Sequence, residues 1–167
     1  MNKRRRIMKK IILTVITAAL VCGMCGCQNG GSAQGGSSVV SENKLSAGEK
    51  TKKLMDEVKF PSMVEVKADK LEIYFDVSEG DLTEYSAYIC GSGAMPDEIG
   101  VFTAKDADTA AKLKEAVEKR IESQRKTYAD YKPDEMYKLD DSFVSVNGNT
   151  VSYAICADNA KAKEIFG

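Results

Sequence analysis

The sequence predicts an α+β domain: an antiparallel sheet built from two β-hairpins, a long amphipathic helix between them, and shorter helices at both ends. Three observations carry this. "EYSAYIC" (84–90) and "DEIGVFTA" (97–104) are strand-rich runs separated by the turn cluster "GSGAMP". "DSFVSV" (141–146) and "TVSYAICA" (150–157) flank "NGN", and Asn-Gly between such runs is the strongest short-range hairpin signal. Between the hairpins, Ala110, Leu113, Val117, Ile121 and Gln124 recur at helical spacing. Two layers are expected, with the helices on one face of the sheet.

The remaining elements follow in chain order. Ser46 and Glu49 have capping-box spacing ahead of "KTKKLMDEVKF", so a helix starts there. It stops before Pro61, because the residue preceding proline avoids the α region. Its apolar side is Leu54, Met55 and Val58. "ADKLEIYF" (68–75) suits a short helix capped by Asp69, although "LEIYFDV" also alternates as a strand. In the first hairpin Ile99, Val101 and Thr103 fall on one face. The long helix runs from about residue 106 to about 129, capped by Asp106 or Asp108. It carries the pairs Glu115–Lys119 and Glu122–Lys126 in the favourable orientation. "PDEMYKL" (133–139) adds a helical turn with Pro133 first. "DNAKAKEIF" (158–166) closes the chain as a helix capped by Asp158.

Ahead of this domain stands a different kind of segment. Residues 1–10 are basic, residues 11–21 ("IILTVITAALV") are apolar, and the small residues of "CGMCGC" follow. That order is a secretory signal, with Met1 and Met8 both suitable starts. The apolar run is shorter than the roughly 20 residues a spanning helix needs. "MCGC" resembles the lipobox of bacterial lipoproteins, with Met24 where Leu is usual. The resemblance implies cleavage after residue 26 and diacylglycerol on the Cys27 sulfur, an anchor made of lipid. Residues 27–45 then hold that cysteine and a Gly/Ser-rich tether, a flexible coil reaching on the order of 20–25 Å. The folded domain occupies residues 46–167.

Charge narrows the function classes. Residues 1–26 hold six of the 24 basic residues and none of the 25 acidic ones, which leaves a net charge of −7 after them. A part that acidic is a poor nucleic-acid binder. The chain has no His, the commonest general base and zinc ligand. No metal set and no cofactor motif is expected.

The blocks from "EYSAYIC" to "DEMYKL" and "VSVNGNTVSYAICADNAKAKEIF" resemble a domain of unknown function in small surface lipoproteins of Gram-positive bacteria. "DEIGVF", "RIESQ" in the long helix and the tyrosine–proline spacing after it carry the likeness. It implies an exported, lipid-anchored protein and brings no catalytic or ligand residue with it.

Candidate chemistry is sparse. Backbone N–H groups of Gly91, Ser92 and Gly93 can form an anion nest, against a plain hairpin connection needing positive φ. Asp97 and Glu98 can bind a hard cation with Asp81 or Glu84, against charges at a solvated edge that set strand register. Cys90 and Cys156 each end a strand run; they can pair, as exported cysteines do, or stay free as small buried residues. Tyr128, Tyr131 and Tyr137 form an aromatic face or cover the end of the sheet with wet hydroxyls.

The expectation is a lipid-anchored lipoprotein at the outer face of the cell membrane, a non-enzymatic binding or interaction module for a protein or small molecule. The alternatives are a cell-envelope hydrolase using carboxylates such as Asp97 and Glu98, and a structural subunit of a membrane assembly.

Overall fold

The structure, a computed structural model, describes residues 45–167. The expected signal segment, the Cys27 expected to carry the lipid and the expected tether up to residue 44 lie outside the described residues.

Helix α1 (Ala47–Glu57) begins with the expected capping box: the Ser46 hydroxyl accepts from the Glu49 N–H (3.2 Å), and the Glu49 carboxylate accepts from the Ser46 N–H (2.8 Å). It ends ahead of Pro61. Strand β1 (Met63–Glu65) follows, an element too short to leave a periodic signal. Helix α2 (Ala68–Phe75) buries Leu71 and Phe75, four residues apart. Asp69 is not its cap. It sits in the first turn, beside the positive end of the helix dipole, and Lys67 holds the cap position without a side-chain bond.

Strands β2 (Leu82–Cys90) and β3 (Glu98–Ala104) form the first hairpin. Helix α3 (Ala107–Tyr131) is capped by Asp106, whose carboxylate accepts from the Thr109 N–H at 2.7 Å. A 3₁₀ turn (Pro133–Glu135) leads into the short helix α4 (Met136–Asp140). Strands β4 (Phe143–Asn147) and β5 (Thr150–Ile155) make the second hairpin, turning at Gly148 with φ +59°. Helix α5 (Asn159–Phe166) is capped by Asp158.

The two hairpins join through β3 and β5, giving a fully antiparallel sheet in the order β1-β2-β3-β5-β4. The sheet pairs strands whose order in sequence is local, yet its centre is a long-range contact between β3 and β5.

The layering differs from the expected two. Along β3, Ile99 and Val101 join α1 and α5 in one core (Ala47, Leu54, Ala162, Phe166), while Phe102 and Ala104 join α2, α3 and α4 in another (Phe75, Leu113, Val117, Leu139). Strand β5 divides the same way: Val151, Tyr153 and Ile155 face α3, and Ala154 and Cys156 face α5. Successive side chains point to opposite faces, so the sheet is the middle of three layers. The reason is legible in β3 and β5, whose apolar runs are near-continuous, the pattern of strands covered on both sides. Gly100 belongs to the α3 face. A Cβ there would stand 2.5 Å from the Tyr153 ring and 2.6 Å from that of Phe102, so only glycine lets those rings stack, at 6.4 Å between centroids.

Candidate functional site

Because β3 is central, its charged residues cannot reach water easily. Asp97 is 0 % exposed and Glu98 only 3 %. This corrects the expectation of edge charges in solvent. Being consecutive, the two carboxylates leave the strand on opposite faces and do not share a cleft.

Glu98 enters the α3 layer. Arg120 donates from Nε to Oε2 and from Nη2 to Oε1, both at 2.6 Å. Gln124 donates to Oε1 at 2.5 Å, and the Tyr153 hydroxyl to Oε2 at 3.3 Å. The Arg120 guanidinium lies 4.5 Å from the centroid of Tyr74 and 5.7 Å from that of Phe75. Burial works against its charge, but Glu98 outweighs burial and raises its pKa. Burial, reinforced by Glu98, lifts the Tyr153 hydroxyl well above its ordinary range. The guanidinium is thus fixed between a carboxylate and two rings.

Asp97 meets Lys138, 2.8 Å from Oδ2, and Lys138 also pairs with Glu135 at 2.8 Å. Oδ1 of Asp97 has no partner among the described residues. Asn159 ties this end of the sheet to α4, donating to the Lys138 carbonyl (3.0 Å) and accepting from the Cys156 N–H (3.2 Å). Asp81 and Glu84 are not part of this cluster. Asp81 accepts from Ser78, and Glu84 accepts from the Ala47 N–H at the start of α1. Among the described residues no three His, Cys, Asp or Glu side chains gather around a metal-sized space.

The "GSG" loop spends its polar groups locally. The Gly91 N–H donates to the Ser62 carbonyl, the Gly93 N–H (φ +65°) to the Cys90 carbonyl, and the Ala94 N–H to the Ser92 hydroxyl. Tyr128 is buried and donates its hydroxyl to the Gly93 carbonyl at 2.8 Å, so that hydroxyl is bound and not wet. Tyr131 and Tyr137 are exposed. Cys90 and Cys156 are both free and buried. They stand on β2 and just past β5, with β3 between. Two strand spacings are about 9–10 Å, beyond the roughly 7 Å that a disulfide spans.

Between α2 and α3 lies an open groove of about 610 Å³. Arg120 and Gln124 line it with Lys112 and Lys119, and with Glu72, Asp76 and Glu115. No sequence argument singled out Arg120. Its only signal was "RIESQ", where Arg120 and Gln124 stand four residues apart on the helix and so present one pair of donors.

A family profile described as a domain of unknown function, DUF4358, matches residues 56–156. The chain belongs to this family. The DUF4358 match contains all five strands, α2, α3 and α4, and so Asp97, Glu98 and the α2–α3 groove. Most of α1 and all of α5 fall outside it. No curated protein and no solved structure matches the chain.

Proposed function

We propose that the chain is an exported lipoprotein, acylated on Cys27 and held at the outer face of the cell membrane, whose DUF4358 domain binds a partner and does not transform it. The observation that carries the binding half is the α2–α3 groove. Its charges of both signs (Lys112 and Lys119; Glu72, Asp76 and Glu115) make no ion pair with other described residues. Arg120 is already immobilised beside them, which removes the ordering cost of a recognition arginine. By contrast the buried charges Glu98 and Lys138 are engaged by partners, so neither is a spare acid or base. A partner carrying both charge signs, such as a peptide, suits this lining.

The sequence carries the anchoring half: basic segment, apolar run, small residues, Cys27 and tether occur in working order. The test is metabolic labelling of the full-length chain with a palmitate analogue in a bacterial host. The unchanged chain takes up label and is shortened. Cys27→Ala leaves an unlabelled, uncleaved precursor. Undiminished labelling of Cys27→Ala overturns the reading.

A further inference from the structure

Among the described residues nothing pairs with the outer edge of β4, and the chemistry of that edge selects a partner. Asn147 and Thr150 close the two-residue turn of the second hairpin. The next bonded pairs to β5 are therefore Ser145 with Ser152 and Phe143 with Ala154. By the same alternation Val144 and Val146 aim their N–H and C=O groups away from the sheet. No hydrogen bond from another described residue reaches those groups. The opposite edge is guarded: β1 has three residues and carries Glu65, paired with Lys67 just beyond it. Strand β4, "FVSVN", has no charge, no proline and no bulge, the devices that keep edges from pairing.

We infer that β4 pairs antiparallel with β4 of a second copy of this chain, about a two-fold axis at Ser145. Only one register satisfies the outward groups. Val144 of one copy bonds Val146 of the other in both directions, and the symmetric pair does the same. That register also matches shapes. Val146 is 45 % exposed and stands on the α3 side of the sheet. Beside Val144, on that same side, runs a groove of about 330 Å³ lined by Ile121 and Arg125. Opposed residues of an antiparallel pair share a face, so each Val146 fills the groove next to the other copy's Val144. An edge of this length buries less than the roughly 1,200 Å² of a standard interface, so the pairing is a weak, reversible one. It does not depend on where the chain resides.

The axis places the two Ser145 residues opposite each other as a non-bonded pair, with Cα atoms about 4.5 Å apart. That is within disulfide reach. The two Asn147 residues are offset by about 13 Å along the strand. Full-length Ser145→Cys, oxidised in whichever cell fraction holds it, is expected to give a dimer on a non-reducing gel, with the substituted position linked to itself in its mass spectrum. Asn147→Cys is expected not to link. Adding Val146→Lys to Ser145→Cys is expected to lower the linked fraction at least about tenfold, the effect of ~1.4 kcal/mol. Circular dichroism establishes that each variant keeps its fold. A folded Ser145→Cys that stays monomeric overturns the proposal. So does linking of Asn147→Cys to the same extent, or capture of a different protein at position 145.

Discussion

Arg120 grips Glu98 through two parallel hydrogen bonds of 2.6 Å, joining the middle of α3 to the first residue of β3. Glu98 is 3 % exposed, and the ion pair is flanked by Tyr74 on the arginine side and Tyr153 on the carboxylate side. Such a pair is costly to break singly, because the survivor is a buried charge without compensation.

Arg120→Met is therefore expected to destabilise the domain by about 3–5 kcal/mol. Arg120→Lys also loses stability, since an ammonium cannot reproduce the two-pronged contact. The double change of Glu98 and Arg120 to Met is expected to cost less than Arg120→Met alone, because no orphan charge remains. Urea unfolding followed by circular dichroism gives these differences. A loss of under about 1 kcal/mol for Arg120→Met would mean that the pair behaves as an exposed one.

The Asp97–Lys138 pair predicts a pH dependence of stability. Burial opposes the Lys138 charge, but bonds to Asp97 and Glu135 outweigh it and hold its pKa above the ordinary 10.5. Its contribution is complete below pH 10.5 and is lost as the pH climbs through the raised value. Asp97 has the opposite sense. Burial lifts its pKa above 3.8 despite Lys138. The native state then holds that proton more tightly than the unfolded chain, and stability at this site rises as the pH falls towards 3.8. Lys138→Met is expected to cost about 3–5 kcal/mol at neutral pH by stranding Asp97 and Glu135. Asp97→Asn is expected to cost less, because Lys138 keeps Glu135, and to remove the acid-side gain. Unfolding midpoints measured from about pH 4 to 7 decide this; an unchanged slope in Asp97→Asn refutes it.

The two buried thiols should differ in reactivity. Burial raises the Cys156 pKa to about 11. Burial also acts upward on Cys90, but the Ser92 hydroxyl and the N–H groups of the loop outweigh it and leave the pKa below 9.0. Thiolate is the reactive form. Iodoacetamide at mildly alkaline pH is expected to label Cys90 before Cys156, read by peptide mass spectrometry, and Ser92→Ala should slow the Cys90 reaction. Equal labelling of both would contradict the loop's influence on the sulfur.

Local chemistry wrote much of this fold into the chain. The capping box at Ser46, the Asp106 and Asp158 caps, the Gly148 turn and the helical stripe from Ala110 to Ile121 each depend on residues a few positions apart. Their elements were therefore readable one window at a time, as was the α+β class. The proposed signal, acylation of Cys27 and tether rest on sequence alone.

Tertiary structure decided the rest. That β3 pairs with β5 is a contact between segments some fifty residues apart, such as Val101 with Ser152, and no local pattern specifies it. Once β3 is central, both its faces are covered, so Asp97 and Glu98 are buried on opposite sides and must find Lys138 and Arg120. The same sheet order leaves β4 outermost, with the backbone N–H and C=O groups of Val144 and Val146 turned away from β5. A charge in a turn-flanked strand looks the same in sequence whether its strand is central or at an edge. Water decides the difference, because it solvates an edge and is excluded from the centre, where each charge needs a partner drawn from another element.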